Sequence, residues 1–116
     1  MNAQERGEKV EPMLFIHISL NEYVDAYKQY EKSGFDPSIG FGEKNEECCP
    51  GHINSGMFDV LKKTDSTKYV FAAHDHLNNF SVDYKGIQLT YTMKTGDGCL
   101  YLPKSNGGTV LAVINC

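Results

Sequence analysis

Val70-Phe71-Ala72-Ala73-His74-Asp75-His76 is an apolar run of strand character that ends abruptly in two histidines flanking an aspartate. Short apolar runs bounded by turn residues read as strands, and Tyr69–Ala73 is assigned as one. Upstream, Met13-Leu14-Phe15-Ile16-His17-Ile18 repeats the pattern, a buried strand that delivers a histidine. Three of the four histidines therefore lie at or near strand ends. Between the two runs, Ser19 to Asn21 offers capping side chains, and Glu22–Lys32 reads as a helix with Tyr23, Tyr27 and Tyr30 on one stripe. Gly34 is its stop. Phe35 to His52 reads as a loop rich in Gly, Pro, Asn and Glu, long enough to suggest that it serves a site. Asn54–Lys63 reads as a second helix, capped by Asn54 or Ser55, with Met57, Val60 and Leu61 as its apolar stripe.

After the His-Asp-His segment, Phe80–Tyr84 and Ile87–Met93 alternate around Lys85-Gly86 and predict a hairpin. Thr109–Ile114 reads as a last strand. The order predicts a mixed α/β (α+β) domain: a parallel βαβ-like start and a mixed sheet ending in antiparallel strands. Residues 1–12 are polar and read as a disordered or extended lead-in, with one domain over residues 13–116.

Composition narrows the function. A length of 116 residues, 41% hydrophobic and 22% charged, suits one globular domain with a real core. The formal charge of −4 argues against a nucleic-acid partner. No apolar run approaches the roughly 20 residues needed to span a bilayer, and Met1 to Lys9 lacks the apolar stretch of a signal peptide. Neither a membrane nor a nucleic acid is expected as partner. Cys48, Cys49, Cys99 and Cys116 lack zinc-knuckle or redox spacing. Free thiols or a long-range disulfide are both open.

Imidazole is the commonest protein ligand for first-row metals. Residues i and i+2 of an extended stretch point the same way, so His74 and His76 can address one region. The competing reading is a polar turn of solvated histidines, capped by Asp75 and Asn78.

The ordered motifs carry a resemblance. Phe71-Ala72-Ala73-His74-Asp75-His76-Leu77-Asn78-Asn79-Phe80 resembles the Gly-His-Asp-His-x-Asn-Asp-Phe segment of calcineurin-like metallophosphoesterases, in the branch related to purple acid phosphatases. Leu14 to Tyr23 resembles that branch's Phe-Phe-His-Ile-Pro-Leu-Pro-Glu-Tyr. Asn54-Ser55-Gly56-Met57-Phe58 resembles its Asn-Ser-Gly-Leu-Phe. Tyr84 to Tyr91 and Lys94-Thr95-Gly96 resemble the hairpin that follows. The match runs from about Pro12 onward.

The resemblance implies the C-terminal half of a four-layer α/β/β/α sandwich. It implies phosphoric ester hydrolysis at a dinuclear centre of two divalent or trivalent transition metals (Fe, Mn or Zn). His17 and His74 would bind one metal and His76 the other, with Asp75 and Asn78 supporting them from behind; His52 matches no ligand. Ala73 stands where the pattern has Gly, and its methyl requires a negative φ. The family's Asp-x-His pair, bridging Asp and Asn-His pair have no counterpart in this sequence, so this chain supplies only part of the metal set and is expected to be a poor catalyst alone. The partners implied are a phosphate ester substrate and either a second copy or a complementary N-terminal half. A non-catalytic metal-binding or interaction module, and an unrelated small α+β domain, are the alternatives.

Overall fold

A computed structural model describes residues 12–75 and 77–92. The lead-in (up to Glu11), His76, the expected Thr109–Ile114 strand, Cys99 and Cys116 lie outside the described residues. The elements are β1 (Met13–Ile16), α1 (Glu22–Lys32), β2 (Gly40–Phe41), α2 (Met57–Thr64), β3 (Tyr69–Ala72), β4 (Ser81–Tyr84) and β5 (Ile87–Tyr91). They form one five-stranded mixed sheet in the order β1-β3-β5-β4-β2. β1, β3 and β5 run parallel, and β5, β4 and β2 run antiparallel. This mixed α/β arrangement, a parallel start and an antiparallel finish, is compatible with a fragment of a metallophosphoesterase fold.

Alternation along each strand sends every second side chain to one face. The registers align Leu14, Val70, Leu89 and Val82 across the sheet, and Ile16, Ala72 and Tyr91 beside them. Both helices close on this face. Tyr23, Ala26 and Tyr30 of α1 and Phe58 and Leu61 of α2 join the strand residues in one core. Tyr23 keys α1 to the sheet: its buried hydroxyl reaches the carbonyls of Val70 (3.1 Å) and Thr90 (3.0 Å), and its ring meets Tyr91 edge-on at 4.9 Å. Gly34 ends α1 with φ +78, as expected. Lys85 and Gly86 both take positive φ between the paired residues Tyr84 and Ile87, the two-residue hairpin turn whose twist suits antiparallel strands.

Several expectations are corrected. β1 is not a buried strand. Among the described residues it lies at the sheet edge with its outer face uncovered, and Phe15, 67% exposed, stacks on Phe71 at 5.0 Å. The buried stripe of α2 is Phe58 and Leu61, whereas Met57 (41%) and Val60 (54%) face solvent. α2 also starts three residues later than Asn54, behind Gly56 in the left-handed region; Asn54 and Ser55 instead turn the chain by accepting from the amides of Gly56 and Met57. Asn21 makes no side-chain cap and donates to the Gly51 carbonyl. The loop from Phe35 holds a short strand, β2, paired with β4. The outer face of the sheet is apolar at β1 but polar at its middle, where Ser81, Thr90 and Gln88 hydrogen-bond one another. No described helix is long and apolar enough to cross a membrane.

Candidate functional site

β1 and β3 are neighbouring parallel strands, so their C-terminal ends open on the same side of the sheet, where open α/β folds bind ligands. The Ile16–Ala72 register continues one step, the Ala73 amide donating to the His17 carbonyl at 3.0 Å. This brings two of the sequence-predicted residues together. The His17 and His74 rings, both exposed, meet edge-to-face with centroids 5.3 Å apart. His52 is exposed and takes no part.

His74 has φ +67, and the Asp75 amide turns back onto the Ala73 carbonyl at 2.8 Å. Such a three-residue turn about a positive φ is strained by about 1–3 kcal/mol and persists only where its surroundings hold it. Ala73 is not among the residues with positive φ, so its methyl is accommodated.

The hold comes from Asp75, which is buried. One carboxylate oxygen, Oδ2, accepts from the Tyr91 hydroxyl at 2.5 Å and from the Cys49 amide at 3.1 Å. Ser19 Oγ lies 2.8 Å from the same Tyr91 oxygen. A phenol has one proton to give, so Tyr91 donates to the carboxylate and Ser19 completes the chain as donor. Burial, followed by the Asp75 contact, holds the Tyr91 hydroxyl far above the ordinary tyrosine range. Burial likewise holds the Cys48 thiol above its ordinary range.

The long loop docks beside the turn. Asn78 Oδ1 accepts from the amides of Asn45 (2.9 Å) and Glu46 (3.0 Å), while its buried Nδ2 has no partner among the described residues. Asn45 Nδ2 donates to the Leu77 carbonyl, and the Leu77 amide donates to Glu46 Oε1. Glu43 and Asn79 exchange two further bonds. Gly42 permits the approach: with φ +90, a Cβ there would stand 2.5 Å from the Asn79 carbonyl. Ser19 and Tyr91 do not stand out in the sequence, whereas the loop is marked there as one that serves a site. The signals are the inward register of Tyr91 and the length of the loop.

The two ring centres stand at a separation that one tetrahedral ion would allow. With metal–nitrogen bonds of about 2.0–2.1 Å, two rings on one tetrahedral ion have centres about 5 Å apart, and the observed 5.3 Å matches. They do not by themselves fit two ions. Among the described residues no three His, Cys, Asp or Glu side chains are gathered to hold a metal, and the Asp75 carboxylate is engaged elsewhere.

Over 84 residues the chain is 32% identical to a protein named probable inactive purple acid phosphatase 14 of Arabidopsis thaliana, a match covering 72% of this chain and 19% of the relative. Over 80 residues it is 31% identical to probable inactive purple acid phosphatase 29 of the same plant, covering 68% of this chain and 18% of the relative. These similarities support a purple acid phosphatase-related family. The chain spans about a fifth of the length of the curated relatives it matches. No family model and no solved structure matches it.

Proposed function

We propose that this chain is the C-terminal part of a metal-dependent phosphoesterase, contributing histidines to a metal centre that other residues complete. The observation that carries the reading is the juxtaposition of His17 and His74 at the C-terminal ends of adjacent parallel strands. In it, His17 and His74 hold one ion and His76 addresses a second, with iron, manganese or zinc compatible with imidazole. Such a centre, when bound, would supply Lewis-acid polarisation of a phosphate ester. Asp75 fixes the turn that presents His74, and Asn78 anchors the loop beside it. Catalysis requires the missing carboxylates, supplied by a complementary N-terminal portion or by a second copy.

A second reading is a non-catalytic module that keeps the fold and the histidines without turnover. It is favoured by the word inactive in both relatives' names. Elemental analysis of the chain purified without chelators, alongside His17→Ala and His74→Ala, tests the site. One metal equivalent lost in both variants supports it, and no metal in any sample refutes it. Phosphate ester hydrolysis by the isolated chain is expected to be negligible; robust turnover would refute the shared-site reading.

A further inference from the structure

We infer that Tyr91 and Ser19 are positioning residues which, through the Asp75 carboxylate, set the spacing between the His17 and His74 rings; as a statement about metal binding this rests on the function proposed above. Four segments converge on one buried oxygen cluster. Ser19 follows β1 two residues after His17, and Asp75 follows β3 one residue after His74. Tyr91 ends β5, and Cys49 belongs to the docking loop. The turn at His74 is strained, and nothing in a ladder bond from Ala73 alone fixes the ring beyond it. The Tyr91 hydroxyl reaches both sides of the pair at once, 2.5 Å to Asp75 and 2.8 Å to Ser19. It thereby ties the exit of β1 to the exit of β3 beneath the two exposed imidazoles. Its ring is locked in turn by Tyr23 and by Phe80, at 4.9 and 5.0 Å. The hydroxyl is therefore a fixed point against which both exits are set.

The test is Tyr91→Phe in the full chain, which removes the hydroxyl and keeps the ring packing. Proximity of the imidazoles is read from the nuclear Overhauser cross-peak between His17 and His74 ring protons, and zinc affinity by calorimetry. Tyr23→Phe is the control, because it also removes a buried hydroxyl but one directed at strand carbonyls. The expected result is a cross-peak present in the wild type and in Tyr23→Phe but weakened at least twofold in Tyr91→Phe. Zinc affinity should fall about tenfold in Tyr91→Phe alone, the lower end of what loss of an outer partner costs. An unchanged cross-peak in Tyr91→Phe, an equal change in Tyr23→Phe, or no cross-peak in the wild type overturns the inference. A wild type that binds no zinc, with the cross-peak still lost in Tyr91→Phe, upholds the positioning role and refutes the metal reading. If Tyr91→Phe fails to fold, Ser19→Ala decides by the same readouts.

Discussion

Replacing Asn78 by alanine isolates the anchor of the docking loop. The side chain is fully buried, and its Oδ1 is the acceptor for two consecutive loop amides, at 2.9 and 3.0 Å. Each lost bond costs about 1–1.5 kcal/mol at a partly buried site. Against this, Nδ2 is buried without a partner among the described residues, and removing it returns about 1 kcal/mol of desolvation. The net expectation is a loss of about 1–2 kcal/mol. For a domain of this size that lowers Tm by about 4–10 °C. Urea denaturation gives the global figure. Amide exchange at Asn45 and Glu46 gives the local one, with about tenfold faster exchange expected at both sites. Asn45→Ala, which removes one exposed bond to Leu77, should cost no more than about 0.5 kcal/mol. A loss below about 0.5 kcal/mol in Asn78→Ala with both amides unchanged would refute the anchoring role. A gain in stability would show that the unpartnered nitrogen dominates the balance.

Three further outcomes are expected. Gly42→Ala should destabilise by about 2–4 kcal/mol, since it forces a positive φ on alanine and drives a methyl into the Asn79 and Phe80 backbone; thermal melts check it. Tyr23→Phe should cost about 1–2 kcal/mol by removing the one buried hydroxyl proton shared between the Val70 and Thr90 carbonyls, measured by chemical denaturation. Burial raises the pKa values of Tyr23, Tyr91 and Cys48 in the folded chain. The folded state thus keeps protons that the unfolded chain releases. Stability should be complete below about pH 8 and fall as pH rises through the ordinary thiol and phenol values of about 8.5 and 10. In a phenolate absorbance titration, Tyr23 and Tyr91 should ionise only as the chain unfolds.

What could be read from the sequence was what is set locally. The tyrosine stripe of α1, the Lys85-Gly86 hairpin and the β3 run are governed by period and turn chemistry within a few residues. What was misread depends on position in the sheet. Met13 and Phe15 are as apolar as a central strand requires, and only the strand order shows that, among the described residues, β1 lies at the edge with one face open. Met57, Phe58, Val60 and Leu61 fit two overlapping stripes, and the choice between them is made by where α2 meets Tyr84 and the sheet. β2 is two residues long, below any periodic signal. At the site, the histidines were visible as residue types in an unusual place. Their supports were not, because Ser19 and Tyr91 lie 72 residues apart and meet only in the fold.

The backbone spaces the two strand exits, and the Tyr91 hydroxyl sets the rings upon that spacing. Neighbouring strands are spaced by about 4.8 Å through their hydrogen bonds, and a ring at the end of each reproduces that repeat to within about half an ångström. The gap between the strand exits is cut by carbonyls and amides of the ladder. A site templated this way differs from one in which the metal gathers a disordered chain around itself. Under the function proposed above, a chelator should strip the ion from the His17–His74 pair and leave the β1–β3 ladder standing, ready to be refilled.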